Sequence, residues 1–244
     1  MATIVPQFEI GNIRDFIERI EPRAPGLQFL WRGQNVDLPL LPKFAREARR
    51  LRLNDPLAEE RRLFESFKRE ARPLLGSFAP RDDYEWLALA QHYGLPTRLL
   101  DWSRSPLVAL WFAVQPGAAA KDISVVWRLD LSPELLLAEP RDSDVFSGGR
   151  TVAFEPPHVV PRISSQAGWF TLHKYVTNKN DFIPLDRQPR FKEALTRIVV
   201  AEGQSDEIRA ELRALGVSGA TLFPDLQGLG AELSSQLRDR PKGM

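Results

Sequence analysis

Apolar positions recur at helical spacing early in the chain and in short strand-like runs later. Between Gly11 and Ile20 they fall at Ile13, Phe16, Ile17 and Ile20, the rhythm of an amphipathic helix. Leu27–Trp31 is a short apolar run ahead of Gly33 and predicts a strand. Leu57, Leu63, Phe64, Phe67, Ala71, Leu74 and Leu75 form a second helical stripe, bent or ended at Pro73. Asp82 supplies an N-cap for the next helix, with Glu85 as the returning partner of a capping box. Gly94, followed by Pro96, supplies its left-handed stop. Thr97–Trp102 reads as extended. Alternation places Thr97, Leu99 and Asp101 on one side and Arg98, Leu100 and Trp102 on the other. Ser105-Pro106 pairs a hydroxyl cap with proline at the first helical position. Pro106–Val114 is apolar on every face, which predicts a buried central helix.

Beyond this point Ile123–Leu129 and Leu195–Ala201 read as strands, and Gly148-Gly149 marks a loop. Val159–Ser165 and Trp169–His173 read as a strand pair about Ala167-Gly168. Ser205 is placed as the cap of a helix ending near Gly216, Thr221–Phe223 as a short strand, and Pro224 as the opening of a last helix. The fold class this gives is α+β. A mixed sheet packs on a buried central helix in a single compact domain over residues 1–244, without regular β-α-β alternation. A chain of 244 residues that is 43% hydrophobic can bury one sizeable core.

Charge narrows the partners. The formal net charge of +1 carries no global signature for nucleic acid. A basic run (Arg46, Arg49, Arg50, Arg52, Arg61, Arg62, Lys68, Arg69, Arg72) is interleaved with Glu47, Glu59, Glu60, Glu65 and Glu70. It reads either as a solvated helix face laced with local ion pairs or as a polyanion-binding face. The absence of cysteine excludes disulfides, thiolate metal sites and cysteine nucleophiles. His92, His158 and His173 lie far apart and form no H-x-x-x-H pair, so no metal is expected. No signal pattern and no apolar run of about 18 residues is present, so the expectation is a soluble protein with no membrane partner and a cytoplasmic default.

The candidate chemistry clusters between two apolar helices, where Gln91, His92, Tyr93, Thr97, Arg98, Asp101 and Ser103 crowd one junction. Buried polar groups without partners cost roughly 1–3 kcal/mol each, so these side chains should bond one another or a ligand. Upstream, Trp31-Arg32-Gly33-Gln34 places a guanidinium fork, suited to phosphate or carboxylate, beside a glycine that permits close approach. The helix start at Ser105 favours an anion or, equally, simple capping. Gln166, at the bend between two predicted strands, offers an uncharged donor and acceptor. Leu222-Phe223-Pro224-Asp225-Leu226-Gln227-Gly228 reads as a structural turn into the last helix.

Four blocks in this order resemble the FRG domain family. They are Trp31-Arg32-Gly33, Gln91-His92-Tyr93-Gly94-Leu95-Pro96-Thr97-Arg98-Leu99-Leu100-Asp101-Trp102, Arg162-Ile163 with Gln166, Gly168 and Phe170, and Leu222-Phe223-Pro224-Asp225-Leu226 with Gly228. Trp31 stands where phenylalanine is commoner, and Gln227 where the last block usually has aspartate. A partial resemblance to the ADP-ribosyltransferase core adds an order of parts: Arg32 on an early strand, Asp101-Trp102-Ser103 running into a helix rich in Ala and Phe, and a late strand. The late strand's acid is replaced by Gln166, with Glu155 and Glu202 as alternative acids.

These resemblances imply an NAD-using transferase or NAD hydrolase, in a toxin or phage-defence setting, acting on an acceptor that is a protein or a nucleic acid. Arg32, His92, Asp101 and Gln166 are then the expected catalytic residues. Arg32, Gln34, Tyr93, Thr97, Arg98, Ser103 and Ser105 are the expected NAD-binding residues, with Trp31, Tyr93 or Trp102 stacking on the nicotinamide. The alternative is a non-catalytic nucleotide-binding or protein-interaction module whose polar cluster, Arg32, Gln34, Arg98 and Asp101, is a salt-bridged network that fixes the fold.

Overall fold

The computed structural model describes residues 4–20, 28–75, 80–116, 123–137, 144–156 and 168–238. Its framework is a mixed seven-stranded sheet. The strands are β1 (Gln7–Ile10), β2 (Gln28–Gln34), β3 (Leu99–Ser103), β4 (Val125–Leu131), β5 (Val152–Phe154), β6 (Gly168–Leu172) and β9 (Leu195–Val200). Their order across the sheet is β1-β9-β4-β2-β3-β6-β5. Only β1 and β9 run parallel; every other neighbouring pair is antiparallel. A small hairpin, β7 (Tyr175–Val176) with β8 (Asp181–Phe182), stands apart.

The sheet has one seam. β2 pairs with β4 along its whole length, and β3 does the same with β6. Between β2 and β3, by contrast, the register holds a single pair, Trp31↔Ser103. The sheet therefore parts at its middle, where backbone polar groups must find partners outside the ladder. Arg32 provides one: its Nη1 donates to the Asp101 carbonyl across the seam at 2.8 Å.

Helices pack on both faces. They are α1 (Ile13–Ile20), α2 (Lys43–Leu51), α3 (Pro56–Ala71), α4 (Asp83–His92) and α5 (Pro106–Ala113), followed by Pro189–Ala194, Ser205–Ala214, Gly219–Leu222 and Leu226–Arg238. α5 forms because Ser105 caps it, accepting from the Val108 N–H at 3.4 Å, and Pro106 sets its first turn. Val108, Ala109, Leu110 and Ala113 are buried in its core face, while Trp111 and Phe112 are only half-buried. Burial on every face, as the apolar run predicts, is thus corrected at these two rings. They meet Phe223, Phe112 edge-on at 6.1 Å and Trp111 tilted at 5.9 Å.

β2 also differs from its expected length. It continues through Gly33 to Gln34, which pair with Val126 and Val125 of β4, and α5 lies directly against it there. A Cβ on Gly33 would stand 1.8 Å from the Ala109 carbonyl oxygen. α4 begins as predicted at Asp82, which accepts from the Glu85 N–H at 2.8 Å, but the Glu85 carboxylate returns to the Arg81 N–H rather than to the cap itself. It ends at Gly94, whose φ is +93°.

Two further expectations are corrected. Thr221–Phe223 is not a strand: Gly219–Leu222 is a helical turn, because Ser218 and Thr221 form a capping box. Ser205 is the first residue of its helix and not its cap; Gln204 occupies that position, after Gly203 turns the chain at φ +81°. Trp169–His173 is strand β6 for most of its length, but among the described residues its partners are β3 and β5. The predicted strand Val159–Ser165 lies outside the described residues.

Buried polar groups tie the layers together. Trp102 Nε1 donates to the Thr171 hydroxyl at 3.1 Å, and that hydroxyl lies 3.2 Å from His173 Nε2. Burial, reinforced by the positive charges of Arg32 and Arg98, pushes the His173 imidazole down to about 3. The folded ring therefore stays neutral where the unfolded ring binds a proton. Because the unfolded state binds the extra proton, this contribution is complete above pH ~6.5 and is lost as pH falls towards ~3. His173→Gln should remove about 2 kcal/mol of the stability difference between pH ~7 and ~5. Urea unfolding of both proteins at the two pH values measures this, and equal pH sensitivity would contradict it.

Candidate functional site

A cavity of about 430 Å³ opens at the β2–β3 seam. Its walls come from β2 (Arg32, Gly33), α2 (Lys43, Arg46), the end of α4 (Gln91, His92, Gly94), β3 (Asp101, Ser103), α5 (Phe112), β6 (Trp169, Phe170) and Phe223. Residues from all four sequence blocks thus meet in one place, although they span some two hundred positions of chain.

Arg32 sits at the centre. Its side chain is 16% exposed, and its Nη1 stands 3.6 Å from Asp101 Oδ2 in addition to its bond with the Asp101 carbonyl. Its buried Nε has no hydrogen-bond partner among the described residues. Burial pulls its pKa below the ordinary arginine value, Asp101 opposes that pull, and Arg46 adds to it. Arg46, which donates through Nη1 to the Leu41 carbonyl, is likewise lowered, first by burial. Lys43, Arg46 and Arg32 face a single carboxylate, Asp101, among the lining residues.

Six further members of the basic run are paired locally. Arg49 pairs with Asp181, Arg50 with Glu47, Arg61 with Asp144, Arg62 with Glu59, Lys68 with Glu65 and Asp83, and Arg69 with Glu70. This is the laced face of the first reading, whereas the cavity edge sets Lys43, Arg46 and Arg32 against Asp101 alone among its lining residues.

Asp101 is held from behind. Leu99 N–H donates to Thr97 Oγ1 at 3.1 Å, the Thr97 hydroxyl donates to Gln91 Oε1, and Gln91 Nε2 donates to Asp101 Oδ1. Thr97 is buried and supports the wall without lining it. His92 lines the cavity and meets Tyr93 edge-on at 4.9 Å. Tyr93 itself is exposed and outside the wall.

Several other expected site residues lie elsewhere. Arg98 is 1% exposed and ion-paired at 2.7 Å with Glu60 of α3, so it is part of the core and away from the cavity. Gln34 lies past Gly33 with a buried, unpartnered Oε1, and it does not line the cavity. Ser103 lines the wall, and its hydroxyl accepts from the Ser105 N–H at 3.0 Å. The two hydroxyls of Ser103 and Ser105 thus occupy N–H groups at the start of α5 that the sequence reading offered to an anion. Gln166 lies outside the described residues. Glu155 stands 3.9 Å from Arg104, Glu202 is exposed in the turn after β9, and neither lines the cavity. Trp31 and Trp102 both line the cavity, the first with its ring edge-on to Phe16 at 6.1 Å and the second with its Nε1 donating to Thr171.

Sequence reasoning missed Lys43, Arg46, Phe112 and Phe223 as site residues. Arg46 was absorbed into the charge run and Phe112 into the apolar helix, Phe223 was read as part of a structural turn, and Lys43 carried no signal of its own.

Residues 27–122 match the FRG domain family. The chain carries an FRG domain. The matched FRG segment contains Arg32, Lys43, Arg46, Gln91, His92, Asp101 and Phe112, while β6 and Phe223 complete the cavity from outside it. No curated protein and no solved structure matches the chain. Among the described residues no group of three His, Cys, Asp or Glu side chains could hold a metal ion. No helix among them is long and apolar enough to cross a membrane.

Proposed function

We propose that the seam cavity binds NAD and supports transfer or hydrolysis of its ADP-ribosyl group. The observation that carries this reading is Arg32: a largely buried guanidinium with a free Nε, flanked by Arg46 and Lys43, in a cavity with aromatic walls. Such a cluster is costly without an anion, and a nucleotide offers phosphates for the cations and flat rings for the aromatics. The size falls within the range of roughly 300–1,000 Å³ usual for small-molecule sites.

In this reading Arg32, Arg46 and Lys43 hold the phosphates. The half-buried rings of Phe112 and Phe223 receive a planar ring. NAD supplies a glycosidic bond whose cleavage releases neutral nicotinamide with the bonding electron pair, and an acceptor nucleophile or water forms the new bond and gives up a proton. Fixed dipoles and charges at the cavity wall stabilise that charge redistribution. Consumption of NAD by a toxin or phage-defence effector is the setting this reading implies. A second reading, binding without turnover, draws on Asp101 being the single carboxylate among the lining residues.

Arg32→Ala should weaken NAD binding by about tenfold to a hundredfold, the worth of a charge-assisted hydrogen bond or two. Isothermal titration with NAD measures it. Equal affinity of the wild-type and variant proteins would reject the pocket assignment.

A further inference from the structure

The wall holds one carboxylate among its cations, and the hydrogen bonds behind it fix what that carboxylate can do. The Thr97 hydroxyl accepts from the Leu99 N–H, so its single proton is directed to Gln91. That sets the Gln91 amide with its oxygen towards Thr97 and its nitrogen towards Asp101. Asp101 Oδ1 is thereby engaged. Asp101 Oδ2 has Arg32 Nη1 at 3.6 Å, beyond hydrogen-bond distance, on a side chain that is 62% exposed. A carboxylate oxygen accepts, so this exposed oxygen is open to a donor on the ligand.

The donors of a nucleotide are its ribose hydroxyls and its base or nicotinamide amide groups. Arg32 selects among them by position. A phosphate seated on Arg32 lies next to Asp101, and the groups nearest a phosphate are the hydroxyls of the sugar attached to it. Adjacent ribose hydroxyls also present two donors to one carboxylate.

We infer that Asp101 reads the hydroxyl pair of a ribose, and that Gln91 and Thr97 are positioning residues which hold it for that task. The inference rests on the nucleotide reading above and adds a specificity to it: the site takes ribonucleotides over their deoxy counterparts. Nothing in the chemistry of Arg32 or Lys43 would make that distinction, because cations recognise phosphate irrespective of the sugar.

The test is equilibrium binding of NAD and of two NAD analogues, each lacking the hydroxyls of one ribose. Wild-type protein should bind one analogue about tenfold or more weaker than NAD, the effect of a hydrogen bond to a charged group. Asp101→Ala should abolish the difference. Gln91→Met and Thr97→Val should shrink it to within about twofold, whereas Thr97→Ser, which keeps the hydroxyl, should preserve it. Melting curves of each variant show whether it is folded, and the half-buried position of Gln91 makes its variant the safer of the two. Wild-type protein that binds NAD and both analogues equally would overturn the ribose assignment while leaving the nucleotide reading intact. A preference lost in Asp101→Ala but untouched in Gln91→Met and Thr97→Val would overturn the positioning roles alone. Failure of NAD itself to bind would overturn the nucleotide reading and this inference with it.

Discussion

Glu60→Ala should cost about 3–5 kcal/mol of folding stability, the penalty for leaving one member of a buried ion pair alone. Glu60 and Arg98 are 2% and 1% exposed. One Glu60 oxygen accepts from the Arg98 N–H at 2.9 Å, and the other from Arg98 Nε at 3.0 Å and Nη2 at 2.7 Å. Arg98 Nη1 reaches the Val145 carbonyl at 3.3 Å, and its guanidinium lies 4.6 Å from the Phe146 ring and 5.4 Å from that of Phe182. Burial pushes the Glu60 carboxyl up against the pull of Arg98. Removing the carboxylate strands a guanidinium among aromatic rings with a single carbonyl partner. Replacing both residues, as Glu60→Leu with Arg98→Met, should recover much of the loss, because apolar groups of similar volume can substitute for a buried pair. A urea-unfolding double-mutant cycle measures the coupling. A single-variant loss below about 1 kcal/mol would contradict it. The same cycle separates fold from site: Arg98→Met that weakens NAD binding at unchanged stability would return Arg98 to the cavity wall.

Gly33→Ala should be comparably severe, for a steric reason. The added Cβ would meet the Ala109 carbonyl oxygen at 1.8 Å and the Ala113 nitrogen at 2.6 Å. Both are backbone atoms of α5, so no side-chain rotation relieves the clash; strand and helix must separate by more than an ångström. Interiors are close-packed, and α5 is held in one apolar cluster with Val126, Ile198, Val200, Ile208 and Leu212. The expected loss is about 3 kcal/mol or more, at the upper end of overpacking costs. Separation would also spoil the cavity, since Gly33 and Ala109 both line it. Thermal melting of the variant checks the claim; a melting temperature within a degree or two of wild type would show that β2 and α5 are not in this close contact.

Those two sites illustrate what could be read before the structure. Gly33 was legible as a place of close approach, because glycine after an arginine at a strand end has few other uses, but what approaches it is a helix of the same chain. Arg98 was misread because its partner, Glu60, lies 38 positions away in a stretch where every acid looks like a partner for a neighbouring base. Capping signals were strong wherever a hydroxyl or carboxylate sat before a helix, as at Asp82 and Ser105. They failed at Thr221, where a capping box of two hydroxyl residues imitates the β-branched signature of a strand. α2 went unseen because its buried face is Phe44, Ala45 and Ala48, so charge outweighs hydrophobic period. With α2 unseen, Lys43 and Arg46 could not be placed at the cavity. β1 is a four-residue edge strand whose partner, β9, begins near residue 195, and no local pattern carries that pairing. The seam itself is a property of two strands declining to pair, which no sequence motif records.

The central claim is that the seam cavity is a nucleotide site and that NAD is its ligand. The most direct measurement is an NAD titration of the full chain by thermal shift, with released nicotinamide followed in the same samples. A melting temperature that rises with NAD concentration, together with nicotinamide release, is the predicted result. A rise without release would support the binding reading over turnover. No rise and no release up to millimolar NAD would contradict the account and assign Arg32, Arg46 and Lys43 to some other anion.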